Sequence, residues 1–381
     1  MKKKLNVGLI GCGFMGKAHS NAYLKLNKFF DVEHEMVMKC ICDSNEKKLK
    51  AFAENWGWQS AETDWRKMVA RDDIDLVDIC TPNNTHHDIV LEAAAAGKMI
   101  ALEKPLSMDA KEGVPMVEAV EKAGKPNMVW FNYRRVPAAA LAKQIIEEGR
   151  IGRVFHYRAK YLQDYTISPD VPQGGDALWR LDARVAGSGV TGDLLAHSID
   201  MATWFIGPIA SVCAMTETFV KERAMQDQPG KVMPVTIDDA CAFLARFENG
   251  ALGTFESTRY ACGRKNQSTF EVNGEKGSVA FDLETAHELE YFDHSDPVSV
   301  RGWRTIQTWD SKHPYMKHWW VPGCGIGYEH WHINTLADFI KGIEKGEKTC
   351  PDLKDALATQ YACDAVLASA KNKKWETIKK P

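Results

Sequence analysis

The feature that most constrains this chain is Gly11-Cys-Gly13-Phe-Met-Gly16, set between an apolar run, Leu5 to Ile10, and a helical pattern, Met15 to Lys28. A strand that turns into a helix over six residues asks for glycine three times. Gly11 permits the tight turn, Gly13 lets a ligand approach the backbone, and Gly16 lets helix and strand pack closely. The helix N-terminus then offers free N–H groups and a positive dipole end to phosphate. In this context the motif predicts a dinucleotide, with Phe14 and Met15 as further contacts.

The pattern continues as βαβ units. Met36 to Cys42, Leu76 to Cys80, Met99 to Leu102 and Asn127 to Phe131 read as strands, with helices at Glu46 to Trp56, Thr85 to Ala96 and Val114 to Ala123. Right-handed crossovers make this a doubly wound parallel Rossmann sheet. After about residue 150 the grammar changes. A long strand, Arg153 to Gln163, precedes a Gly/Pro-rich loop and a helix, Thr191 to Phe205. Strands then recur between Val212 and Phe281 like an antiparallel meander, with turns at Glu248-Asn249-Gly250 and Asn273 to Gly277. Two helices, Trp331 to Lys345 and Leu353 to Ala370, close the chain. The expected fold is α/β, with residues 1–130 binding the dinucleotide and 131–381 holding the substrate and the oligomer contacts. A length of 381 residues favours two domains.

Composition narrows the class. With 45% hydrophobic residues, 26% charged and a net charge of −3, the chain reads as globular. No basic stripe follows Met1-Lys-Lys-Lys4, which argues against nucleic acid. Apolar stretches stay below the ~18–20 residues of a membrane span, and no signal peptide is recognisable. The ten cysteines are scattered, and Cys12, Cys40, Cys42 and Cys80 lie in apolar strands. Buried reduced thiols and a cytoplasmic protein are expected. Cys40-x-Cys42 lacks further metal ligands nearby.

Strand ends supply the candidate site residues. Asp43 ends the second strand, where an acid accepts both ribose hydroxyls and repels a 2′-phosphate, so NAD is expected over NADP. Ser44 and Lys47 keep NADP open, and Asp43 could instead cap the helix starting near Asn45. Thr81, Pro82 and Asn83 fall at the next strand end, beside the nicotinamide, and His86 just after them is a further cofactor contact; Thr85 or Asn84 could cap the following helix, and both readings can hold together. Glu103-Lys104-Pro105 ends the strand after that. Asp193 and His197 lie four apart on one helix face. A histidine suits the removal of a hydroxyl proton, and a lysine beside the same hydroxyl stabilises oxyanion charge. On spacing alone, an ordinary helical ion pair reads slightly better.

These motifs occur in a telling order: Gly-x-Gly-Phe-Met-Gly-x-x-His19, Thr81-Pro82-Asn83, Glu103-Lys104-Pro105, Asn132-Tyr133-Arg134 and Asp193-x-x-x-His197. In this the chain resembles the Gfo/Idh/MocA oxidoreductases over nearly its whole length. The resemblance implies a large, open, mainly antiparallel second sheet and a catalytic group of Lys104, Asp193 and His197, with His197 as acid/base. It implies Glu103 and Lys104 at the cofactor, a cis peptide before Pro105, and dimers or tetramers. Leu178-Trp179-Arg180, Ala186-Gly-Ser-Gly189 and Trp319-Trp320-Val-Pro-Gly323 with Gly325 to His330 resemble the branch acting on pyranoses, glycosides and anhydrosugars such as levoglucosan. That likeness implies oxidation at C3, with Tyr133, Gln163, Trp179, Arg180, Asp193, His197 and His330 touching the sugar; Trp319 and Trp320 read equally as packing. Where many relatives carry glycine between the catalytic pair, this chain has Leu195.

Other readings stand beside this one. A zinc enzyme could draw on His330-x-His332, His86-His87, His313 or His318, but ligands two apart on a helix diverge and no HExxH is present, so no metal is expected. A cyclitol dehydrogenase, a glycosidase using NAD with no net redox change, and a non-catalytic dinucleotide sensor share the same cofactor half.

Overall fold

The computed structural model describes residues 2–380. In chain order the elements are β1 Lys3–Ile10, α1 Phe14–Phe29, β2 His34–Cys42, α2 Glu46–Trp56, β3 Ala61–Glu62, α3 Trp65–Val69, β4 Leu76–Ile79, α4 His86–Ala95, β5 Met99–Leu102, α5 Ala110–Ala123 and β6 Asn127–Val129. There follow α6 Pro137–Glu147, β7 Val154–Leu162, α7 Gly175–Leu178, α8 Ala183–Ala186, a π-helical turn Thr191–Leu195, α9 Ala196–Ile206, β8 Ile209–Glu217, β9 Glu222–Ala224 and β10 Val232–Pro234. The last are β11 Ala240–Phe247, β12 Leu252–Thr258, β13 Gln267–Gly274, β14 Gly277–Asp282, β15 Glu288–Asp293, β16 Trp303–Gln307, α10 Tyr328–Lys345, α11 Leu353–Asn372 and β17 Glu376–Thr377.

The chain forms two compact units. One takes in residues up to 135 and 326–357, the other 136–325 and those from 358 on. The sequence boundary at 130/131 sends all later residues to the second half, whereas α10 packs along α1 in the first. Its apolar stripe, with Trp331, Ile333, Leu336, Phe339 and Ile340 buried, needs a partner, and an amphipathic stripe does not reveal which one.

The first unit is a six-stranded sheet ordered β3-β2-β1-β4-β5-β6, parallel throughout. Its inner strands are buried on both faces, as Leu76–Ile79 is, and so read as continuous apolar runs. The order reverses beside β1, which places the carboxyl ends of β1 and β4 at the switch point where ligands bind.

The second unit is a nine-stranded sheet ordered β16-β15-β14-β13-β7-β12-β11-β8-β17. The expected simple meander is interrupted: β7 lies between β12 and β13, parallel to one and antiparallel to the other. Neighbouring strands in sequence are therefore not neighbours here, which turn signals cannot reveal. The hairpin at Glu248–Gly250 forms as expected, with Gly250 at φ 90° and the Asn249 side chain accepting from Ala251 N–H. Period-2 alternation sends Phe243, Ala245, Phe255 and Tyr157 inward, while Leu244, Leu252 and Met215 remain exposed on the other face.

Candidate active site

In the first unit the glycine loop has the geometry its spacing demands. Gly11 sits at φ 110°, and a Cβ there would stand 2.8 Å from the Cys80 carbonyl oxygen. A Cβ on Gly16 would stand 2.1 Å from the Gly11 carbonyl oxygen, so α1 approaches the loop too closely for any side chain. Nothing lies within 4 Å of a Cβ placed on Gly13, which leaves the N-terminus of α1 open to a ligand. Phe14 is 67% exposed and stacks on Tyr328, whose hydroxyl reaches the Met15 sulfur at 3.6 Å. Asp43 accepts from Cys12 N–H at 2.8 Å and Asn45 N–H at 2.9 Å, pinning the loop to the end of β2. The cap of α2 is Asn45, which accepts from Lys48 N–H, so the helix-cap reading of Asp43 fails. Together these features fit a dinucleotide on the α1 N-terminus.

At the end of β4, the Thr81 and Thr85 hydroxyls meet at 2.6 Å, Thr85 donates to the Pro82 carbonyl, and Asn83 is buried. Thr85 makes no side-chain cap to α4. His86, expected at the cofactor, is fully buried, with Nδ1 facing the Pro105 and Leu106 carbonyls and Nε2 the Thr81 carbonyl. It ties the Thr81 and Pro105 loops together from behind, and burial pushes its pKa down. The Lys104–Pro105 peptide is cis. Glu103 is also turned inward, one oxygen 3.1 Å from His19 Nε2 and the other accepting from Lys104 N–H at 3.1 Å. Burial opposes its charge, yet His19 holds its pKa below the usual carboxylate range. Tyr133 is buried edge-on to Trp331. His330 accepts from Gly327 N–H at the start of α10.

Asp78, inside the buried strand Leu76–Ile79, was not singled out in the sequence, although a lone carboxylate among apolar residues was the available signal. It accepts from Tyr23 at 2.9 Å and Trp130 at 3.0 Å, and lies 2.9 Å from His19 Nδ1. Two triads among the described residues, His19-Asp78-Cys80 and His19-Glu103-His332, bring possible metal ligands within 4.8 Å. Since both nitrogens of His19 lie at hydrogen-bond distance from carboxylates, the cluster closes as an ion network. On α10 the His330 side chain is 14% exposed and His332 is fully buried, and positions two apart on a helix face different directions.

In the second unit, Asp193 sits on the π-helical turn and His197 in the first turn of α9. The sequence predicts one α-helix over both. The π-turn, an extra residue in the turn common at functional sites, is invisible to apolar periodicity. Its start is clamped by Asp238, which accepts from Gly189 N–H, Thr191 N–H and the Thr191 hydroxyl. A Cβ on Gly189 would stand 1.9 Å from the Asp238 carbonyl oxygen. Asp193 accepts from Arg259 Nη2 at 2.6 Å, with Arg180 Nε at 3.8 Å. Arg259 is fully buried and was missed, because an arginine at a strand end looks like a surface residue. Arg180 lies 4.4 Å over the Trp179 ring. Gln163 donates to Asn266, which also accepts from Tyr161, whose ring is 6.0 Å from buried His197. Trp320, read equally as packing or as a sugar contact, is 48% exposed.

This geometry defines an NAD-binding oxidoreductase, and the chain belongs to the Gfo/Idh/MocA oxidoreductase family: the family's NAD-binding Rossmann model matches residues 5–131 and its C-terminal domain model residues 139–280. It is 41% identical to a levoglucosan dehydrogenase of Pseudarthrobacter phenanthrenivorans over 99% of this chain and 98% of that one. A solved levoglucosan dehydrogenase in complex with NADH and levoglucosan superposes with a TM-score of 0.95 at 41% identity, covering all of both chains. An inositol 2-dehydrogenase of Rhizobium meliloti is 26% identical over 97% of this chain and 98% of its own.

Proposed function

We propose that the protein oxidises a secondary hydroxyl, that at C3, of an anhydrosugar or pyranoside, with levoglucosan as the leading substrate. The observation that carries this reading is the full-length likeness to a levoglucosan dehydrogenase, whereas the likeness to an inositol dehydrogenase is much weaker. Bound NAD supplies the hydride acceptor. Gly11, Gly13, Phe14, Met15 and Gly16 hold its pyrophosphate side, Asp43 its ribose, and Thr81, Pro82 and Asn83 its nicotinamide side. His197 takes the hydroxyl proton, the Lys104 ammonium stabilises the developing oxyanion, and Asp193, fixed by Arg259, accepts from a neighbouring hydroxyl. Tyr133, Gln163, Trp179, Arg180 and His330 contact the sugar. The enzyme works in the cytoplasm as a homo-oligomer, a reading supported by its free cysteines and by the exposed apolar face of the second sheet.

The test is a panel of levoglucosan, alkyl glucosides and myo-inositol, each with NAD and NADP, followed by NADH absorbance. Turnover of levoglucosan or a glucoside, at least about tenfold better with NAD, is expected from a carboxylate at the ribose. Preference for myo-inositol, or glycoside cleavage without net NADH, would overturn it.

A further inference from the structure

The polar cluster behind Lys104 is more elaborate than a strand end needs. The His19 ring, on α1, is fully buried and has a carboxylate on each nitrogen: Asp78 at 2.9 Å and Glu103 at 3.1 Å. An imidazole between two carboxylates satisfies both only as a double donor. Trp130 stacks on the ring at 3.9 Å, and Tyr23 and Trp130 both donate to Asp78. The remaining titratable neighbours come from every packed element. Cys80 of the β4 end lies 3.0 Å from Nδ1, Lys104 follows Glu103 at the β5 end, and His332 of α10 lies 5.6 Å away ring to ring. His332 donates Nδ1–H to the Tyr328 carbonyl, and burial, with the His19 charge beside it, lowers its pKa to about 4, so it brings no second cation.

We propose that His19 is a positioning residue: as an imidazolium between Asp78 and Glu103 it neutralises Glu103 and fixes the Lys104 N–H, leaving the Lys104 ammonium for the substrate hydroxyl. This rests on the reading of Lys104 given above. Burial opposes the charge, but Asp78 outweighs it and lifts the His19 pKa well above the ordinary histidine value. Without that cation, Lys104 becomes the nearest counter-charge to Glu103 and is held protonated on the carboxylate.

The experiment compares pH profiles of levoglucosan oxidation in the wild type, His19→Gln, Glu103→Gln, the double variant and Lys104→Ala, with NAD affinity and melting temperature measured alongside. In His19→Gln, kcat should fall about tenfold or more with NAD affinity within about threefold. Its alkaline limb, where the Lys104 ammonium loses its proton, should move to higher pH by about one unit. Glu103→Gln should move that limb to lower pH, and the double variant should return it to the wild-type position. A purely structural role moves stability but not the limb. The proposal is overturned if folded His19→Gln keeps the wild-type limb and kcat, or if both single variants shift the limb the same way. Should His19→Gln fail to fold, the direction of the Glu103→Gln shift decides alone. Full turnover in Lys104→Ala would overturn the Lys104 reading itself, and this proposal with it.

Discussion

His332 shows how burial sets protonation in the first unit. Burial, reinforced by the His19 cation, pushes its pKa down to about 4. An unfolded histidine titrates near 6.5, so between these values the unfolded chain holds a proton the folded chain lacks. Stability therefore rises with pH across that window and falls as pH drops through it, by about 3 kcal/mol in all. Urea titrations of wild type and His332→Asn at pH 7 and pH 5 check this, since the variant should lose part of the slope. Asp193 is held by a charged partner instead. Arg259 Nη2 at 2.6 Å is its short, charge-assisted partner. Arg259→Met should lower kcat/KM by roughly tenfold to a hundredfold and leave NAD affinity unchanged, because a lost charged hydrogen bond is worth about 1.5–3 kcal/mol. Equal loss of NAD binding would place Arg259 elsewhere in the mechanism.

At the scale of elements, the glycine loop was legible because each glycine answers a local demand, and the demand at Gly16 is backbone against backbone. Gly16→Ala should weaken NAD binding and cost about 1–3 kcal/mol of stability, read by isothermal titration and thermal melts. The Thr191–Leu195 π-turn was not legible. Its conformation depends on Asp238, 47 residues from Thr191 in sequence, whose three accepted hydrogen bonds hold the turn's entry. Asp238→Ala should therefore destabilise the protein by about 2–4 kcal/mol and reduce kcat beyond what melting explains. His86, just after a strand end, turns its side chain into the core, a direction that its place in the sequence does not give.

For the whole molecule, the parallel half was legible almost strand by strand because buried parallel strands are uninterrupted apolar runs bracketed by helices. The second sheet was legible in class but not in order, since the placement of β7 between β12 and β13 depends on long-range pairing. Likewise the return of residues 326–357 to the first unit is written in no local signal. The exposed face of the second sheet carries Met215, Leu244 and Leu252, and such apolar patches mark interfaces. Met215→Glu with Leu244→Glu should shift sedimentation from oligomer to monomer; unchanged sedimentation would leave that face without this role. The central claim is hydride transfer from the sugar's C3 to NAD. The direct measurement is oxidation of levoglucosan carrying deuterium only at C3, with mass spectrometry of both products. The account predicts deuterium on the reduced nicotinamide and none on the sugar; unlabelled NADH with the label retained on the sugar would contradict it.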